Sequence, residues 1–391
     1  MAMKRRDFIE AGIGGVAALT VAPGVSRAQS TPVNVTSASG IIVIGVDGSS
    51  LTPQYLNDYL SAGATVWQYS GNTMTLDRFD KIDSFVTANS SKVILAKSYN
   101  DILAAKQAGK VAIVAGAQDL YTLDASWQDG IVESNPVANF GNNWLVNPPQ
   151  TQISYYYGRG LRIANLAYNL SNFFGGGCLD PTTPLSKAGR FIVGQLQEIG
   201  ILVDTSHSSE RTSLDIAKMA TRPVVISHSN PAALDDNPRN VSDRLIEAVA
   251  KTGGLIGLNA VNAFILWSRA DARYADTGPF PPLASISQYV DMIDYVVGLV
   301  GIDYVGIGTD WTWGDPFSSD NAASPNPAES FVYPPDMLYN EPYLQYVANF
   351  AEVCQLPNLE AELVRHGYSP TDIAKIMGGN WMRVFGQAWN S

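Results

Sequence analysis

Histidine is almost missing from this chain. Among 391 residues there are three, His207, His228 and His366, so any imidazole chemistry must use these. Cysteine is scarcer still. Cys178 and Cys354 lie far apart and no Cys-x-x-Cys occurs, which excludes a thiolate-rich metal site and leaves room for one disulfide after export. Charged side chains make up only 16% and the balance is acidic, −11 overall. Removing residues 1–28 takes away four basic and two acidic side chains and leaves −13 by the same count. A chain without a basic tract cannot follow a phosphate backbone, so nucleic acid is not an expected partner. No apolar run is long enough to span a bilayer. No Gly-x-Gly-x-x-Gly follows the first strand-like run, which speaks against a dinucleotide-binding fold.

The amino terminus reads as an address. Lys4-Arg5-Arg6-Asp7-Phe8-Ile9 is a twin-arginine pattern, Ala11 to Ala22 is a short apolar run, and Ser26-Arg27-Ala28 offers a small-x-small cleavage site. Residues 1–28 are expected to be a twin-arginine signal peptide, 29–40 a linker, and 41–391 one domain. The expected partner is the twin-arginine export machinery, and the expected location is the periplasm or outside the cell.

The mature chain alternates between short β-branched runs and stretches with helical spacing. Strand-like runs are Ile41–Val46, Ala64–Gln68, Lys92–Ala96, Lys110–Ala115, Leu161–Ala167, Ile201–Val203, Pro223–Ile226, Leu255–Leu258 and Tyr304–Ile307. Helical stretches begin at capping residues such as Thr52, Ser186 and Ser242. About eight strand–helix alternations favour an α/β fold with its parallel sheet closed into a (β/α)8 TIM-type barrel, with a doubly wound open sheet as the alternative. The stretches Asp119–Pro149 and Thr312–Pro342 read as long loops. The aromatic residues from Trp311 to Tyr343 are expected to shape a pocket. Gly175–Gly177 reads as plain loop, because it lacks the Lys and Ser/Thr of a phosphate-binding loop.

The chain is centred on residues 201–230. Here two strands each end in Ser-His, Ser206-His207 and Ser227-His228, with a helix between them. In a parallel barrel the carboxyl ends of the strands carry the chemistry. They deliver Asp47, Gln118, Tyr168, His207, His228 and Asp310 to one mouth. Two neutral imidazoles and a carboxylate are natural ligands for a divalent metal such as zinc. Asp310 is expected either to ligate the metal or to serve as the base that takes a proton from water. Asp204, three residues before His207, reads as a support behind a ligand or as a buried structural carboxylate. Arg239, in a loop beyond the His228 strand, is either a clamp for a substrate carboxylate or a surface residue. His366 reads as structural.

The segments VDTSHSS, RPVVISHSNPAAL, NPRNVSD, GGLIG, GIDYVGIGTDW and IMGGNWMRVF occur in this order. Their order and content resemble the membrane (renal) dipeptidase family over most of the chain from about Ile41. The resemblance implies a metal-dependent amidohydrolase-like barrel that cleaves dipeptides. It implies that His207 and His228 bind zinc, that Asp310 helps proton transfer, and that Arg239 binds the dipeptide carboxylate. Four positions depart from the family pattern. Ser49 and Leu51 stand where a His-x-Asp metal pair follows Asp-Gly, Gln118 stands for a bridging glutamate, and Tyr168 stands for a histidine that steadies the tetrahedral intermediate. This leaves His207, His228 and either Gln118 or Asp310 for one zinc ion or none. Tyr168 keeps a hydroxyl that can still donate.

Two functions follow. The first is a metal-dependent hydrolase acting on a dipeptide or dipeptide-like molecule with a free carboxylate. The second is a non-hydrolytic or altered relative that matures or binds a small peptide metabolite in the periplasm. A homodimer is left open.

Overall fold

A computed structural model describes residues 40–71, 76–120, 149–266, 283–313 and 346–389. They fall within one compact unit, Asn34–Ser391. The expected signal peptide, most of the two stretches expected as long loops, and the aromatic segment beyond Trp313 lie outside the described residues.

The strands are β1 (Val43–Asp47), β2 (Val66–Gly71), β3 (Val93–Leu95), β4 (Val111–Ala117), β5 (Leu161–Asn165), β6 (Leu202–Asp204), β7 (Val224–Val225), β8 (Ile256–Leu258) and β9 (Val305–Trp311). The α-helices are α1 (Pro53–Ser61), α2 (Leu76–Ala88), α3 (Tyr99–Gln107), α4 (Pro149–Arg159), α5 (Lys187–Ile199), α6 (Glu210–Met219), α7 (Asp243–Lys251), α8 (Ile286–Val300), α9 (Leu356–Arg365), α10 (Pro370–Ala374) and α11 (Asn380–Ala388). Their starts follow hydroxyl caps. Thr52, Ser98, Ser186, Ser209, Ser242, Ser285 and Ser369 each accept a backbone N–H of the first turn, and Ser285 forms a capping box with Gln288.

Every strand pairing is parallel, in the order β7-β6-β5-β4-β2-β1-β9-β8. The ring is closed between β7 and β8 by a parallel bridge, Ile226 to Ile256, with Gly257 N–H donating to Ile226 O at 2.8 Å. The expected (β/α)8 barrel is therefore the observed one. The expected run Lys92–Ala96 forms β3, but it pairs only with β4 and stands outside the ring.

Two side-chain layers hold the barrel. Ile44, Trp67, Ile113, Val203 and Ile307 pack among buried residues of the surrounding helices. Val43, Val66, Val114, Leu202, Val225 and Leu255 cluster with Trp381 and Phe385 of α11, which plugs the ring near the amino ends of its strands. Trp381 Nε1 donates to Ile307 O at 2.9 Å. At the closing seam the backbones approach so closely that a Cβ on Gly257 or Gly308 would lie 2.1 or 1.9 Å from Ser227 O, so only glycine fits there.

Candidate active site

The carboxyl ends of the ring strands carry unusual backbone. Val46 (φ 44°), Asn169 (φ 55°), His207 (φ 65°) and Asp310 (φ 58°) all adopt the left-handed region. Val46 lies where the β1–β9 register shifts, and the strain is most severe there because valine is β-branched. Such conformations persist only where surrounding structure enforces them, and they gather at functional sites.

His207 and His228 meet at this edge. Their Nε2 atoms are 2.7 Å apart, and both side chains are buried. Behind His207, Nδ1 is 2.8 Å from Asn169 Oδ1, an atom that can only accept, so Nδ1 carries the hydrogen. Behind His228, Nδ1 is 2.6 Å from Ser227 Oγ. Ser227 Oγ in turn makes a short hydrogen bond to Asp204 Oδ2. Burial first, and then the Arg239 charge, hold both histidines well below the usual imidazole range, so both are neutral near pH 7.

Arg239 is 2% exposed, which excludes the surface reading of its loop. Its Nη2 donates toward His207 Nε2 and to His228 O, each at 3.2 Å, and its Nη1 donates to Ser229 Oγ at 3.3 Å. Nε is buried and has no partner among the described residues. The guanidinium also faces the Phe264 ring, 5.4 Å from its centroid. This is a desolvated cation with an unspent donor beside the histidines, suited to an anionic group.

Tyr168 stacks on the His207 ring, with centroids 4.0 Å apart and an interplanar angle of 24°. Asp310 is the next-to-last residue of β9 and accepts from Asn259 Nδ2 at 3.1 Å. Burial pushes its carboxyl up to about 6, against the opposing pull of Arg239. Among the described residues, no Asp, Glu, Cys or third His joins the His207–His228 pair in a cluster with all ligand atoms within 4.8 Å of one another. Asp310 thus reaches the mouth without completing a three-ligand set. Gln118 follows β4 and is buried, its backbone N–H donating to Gly71 O at 3.0 Å.

The first-strand positions are otherwise engaged. Ser49 Oγ accepts Trp313 N–H at 2.9 Å, and Leu51 packs against the core. Asp47 Oδ2 accepts the hydroxyls of Tyr55 at 2.9 Å and Tyr59 at 2.6 Å, while Oδ1 accepts Ser49 N–H at 3.0 Å. Tyr59 stacks on Trp67, whose Nε1 donates to Asp47 O at 3.0 Å. Asp47 is therefore tied into an aromatic network, and its carboxylate is already saturated with donors.

Asp204 is buried and lies behind His228 rather than His207. Its Oδ1 accepts Ser206 N–H at 3.0 Å and Ser227 N–H at 2.9 Å. Burial raises its carboxyl, and these donors pull against the rise. Sequence reasoning missed Asn169, Ser227 and Asn259. Asn259 follows β8, so the strand-end rule applied to that strand would have found it. The two cysteines are not bridged to each other: Cys178 is buried, with its Sγ 3.3 Å from Asn169 Oδ1, and Cys354 is exposed. His366 lies away from the mouth, against Asp294 and Glu362.

The profile of the family described as membrane dipeptidase (peptidase family M19) matches residues 142–323 and 343–391, more than half of the chain. The matched part contains β5 to β9 and hence Tyr168, His207, His228, Arg239 and Asp310. It omits β1 to β4, where Ser49, Leu51 and Gln118 stand. A Klebsiella pneumoniae protein described as an uncharacterized protein in the pqqA 5' region is 31% identical over 242 residues, 60% of this chain and 74% of that one. The dipeptidase tcpJ of Claviceps purpurea is 25% identical over 317 residues, 79% of this chain but only 59% of the relative. An amidohydrolase from Pseudomonas aeruginosa superposes with a TM-score of 0.71 at 24% identity, covering 93% of this chain and all of that one. On the extent of the profile match, the chain belongs to the membrane dipeptidase family, peptidase family M19.

Proposed function

We propose that the protein is a metal-dependent, dipeptidase-like hydrolase that cleaves the amide bond of a dipeptide or dipeptide-like molecule with a free carboxylate. The observation that carries this reading is the pair of facing Nε2 atoms, 2.7 Å apart, on rings whose Nδ1 atoms are engaged behind them. Two neutral rings held in this way turn lone pairs toward one point, an arrangement that suits a cation. Family membership, the buried arginine and the raised Asp310 carboxyl support the same reading.

The two histidines offer a half-site for one ion, and the first-strand positions offer nothing for a second. His207 and His228 would hold a divalent metal such as zinc, with Gln118 or Asp310 as the further candidate ligand. Ser49 and Leu51 supply no ligands for a second ion, and Asp47 is already bonded to Tyr55, Tyr59 and Ser49. A bound metal would polarise the scissile carbonyl and acidify a water.

The chain's own residues do the rest. Arg239 binds the substrate carboxylate with its Nε and Nη hydrogens and so orients the amide. Asp310, raised by burial, takes the proton of the attacking water and returns it to the leaving amine. Tyr168 packs over His207, keeps bulk water from that face, and donates its hydroxyl to the oxygen of the tetrahedral intermediate.

The test is metal content followed by turnover. The protein is expected to hold one metal per chain, to lose dipeptide hydrolysis on chelation, and to regain it with a divalent cation. His207→Ala and His228→Ala are each expected to lose the metal while remaining folded. Metal content unchanged in both variants would remove the site. The Lys4-Arg5-Arg6 pattern supports export by the twin-arginine route to the periplasm, and Arg5→Lys with Arg6→Lys is expected to stop that export.

A further inference from the structure

The two histidines are held differently. Asn169 bonds His207 directly through its Oδ1. His228 is held through an intermediary, because Ser227 Oγ lies between its Nδ1 and Asp204 Oδ2. Ser227 has one hydroxyl hydrogen and cannot donate in both directions. Asp204 also receives the N–H groups of Ser206 and Ser227 on its other oxygen, so every neighbour at hydrogen-bond distance is arranged to donate to it. The hydroxyl hydrogen therefore goes to Asp204. Ser227 Oγ is then an acceptor, and His228 Nδ1 must carry the ring hydrogen. That leaves His228 Nε2 bare and aimed at His207 Nε2. Ser206 makes a second connection between the strands, its Oγ accepting His228 N–H at 3.1 Å.

We propose that Asp204 and Ser227 are positioning residues for the metal half-site, an Asp–Ser–His relay that fixes which nitrogen of His228 faces the mouth. The inference rests on the reading of His228 as a ligand. The chemistry is that of a carboxylate behind a ligating histidine, here transmitted across one hydroxyl. Reversing the relay gives a specific consequence. In Asp204→Asn the new amide can donate to Ser227 Oγ, the serine then donates to His228 Nδ1, and the ring hydrogen moves to Nε2, where it blocks the ligand position.

The test uses cobalt(II) affinity of the full mature chain, measured by chelator competition, together with nitrogen-15 resonances of His228 in the metal-free protein. Asp204→Asn and Ser227→Ala are each expected to bind cobalt about 10- to 100-fold more weakly. Their combined effect is expected to be no larger than the greater single one, because both act through one chain of bonds. The His228 hydrogen is expected on Nδ1 in wild type and on Nε2 in Asp204→Asn. Should Asp204→Asn not fold, Ser227→Ala carries the affinity comparison, since it removes the intermediary and keeps the carboxylate. Cobalt affinities within about twofold of wild type, or an unmoved His228 tautomer in a folded Asp204→Asn, would overturn the relay and leave the metal reading standing. A wild-type chain that takes up no cobalt would overturn the metal reading, and the relay with it.

Discussion

At the scale of single residues, Arg239 shows how a loop residue becomes buried. Asparagine amides fold its loop inward. Asn237 Oδ1 accepts Arg239 N–H at 2.8 Å, and Asn240 Nδ2 donates to Asp235 O and Phe264 O at 2.7 and 2.9 Å. Side chains that bond backbone in this way let a loop leave the surface without orphaned polar groups. Arg239→Ala is expected to weaken a dipeptide with a free carboxylate by about 2–5 kcal/mol and its amidated analogue far less, read from inhibition constants. Arg239→Lys is expected to recover little, because an ammonium does not reproduce the fork. As the proposed base, Asp310 is expected to set the acid limb of activity. Its carboxyl, near 6, is the proton acceptor only when ionised, so kcat/KM is expected to fall below that pH. A bound cation moves the limb lower. Asp310→Asn is expected to lower kcat roughly 10²- to 10⁴-fold with metal retained, and a loss under tenfold would remove it as the base. The residues that end strands were legible in the sequence because strand length and β-branching located the edge. Asn169 and Ser227 were not, because their work depends on which neighbouring strand they face, and spacing along the chain does not carry that; Asn259, just past β8, was within reach of the same strand-end rule.

At the scale of elements, the helices and strands follow their local signals closely, and the differences have physical causes. The run that became β3 reads like its neighbours, yet only Val93 is buried, while Ile94 and Leu95 are half-covered because one flank alone is paired. The helix capped by Ser369 stops as α10 and gives way to a π-turn over Lys375–Gly379, where Gly378 departs from helical geometry. A Cβ on Gly378 would lie 2.3 Å from Ile41 O, so the turn is shaped by the first strand's approach. Sequence spacing cannot register such a contact. His366 joins two elements. It caps α9, and its Nδ1 lies 2.7 Å from Asp294 of α8 while its Nε2 lies 3.2 Å from both Ser287 and Glu362. Tyr368 donates to the other oxygen of Asp294 at 2.6 Å. His366→Ala is expected to destabilise the fold by roughly 1–3 kcal/mol, seen as a lower Tm, with metal content unchanged. Loss of metal in that variant would connect this latch to the mouth.

At the scale of the whole molecule, the barrel was legible because its signal is repeated, while its point of closure was not. The titrating groups of the core pull in opposite directions. His207 and His228 lie below their usual range, so the stability they contribute is present above about 6.5 and is lost as pH falls. Asp47, Asp204 and Asp310 lie above theirs, so their contribution is present at acid pH and is lost as pH rises, through about 6 for Asp310. Metal-free Asp310→Asn is therefore expected to gain Tm over wild type at pH 7.5 and to gain less at pH 4.5. An equal gain at both would mean that Asp310 is not held protonated by the fold. The seam between β1 and β9 has a consequence for timing. Thr309 Oγ1 donates to Val46 O across 263 residues of chain. At ordinary rates of synthesis that interval is roughly 13–50 s. Through that time β1 has its β2 neighbour but no β9, so one edge of the growing sheet stays open until β9 is made, and a slower elongation step would keep it open longer.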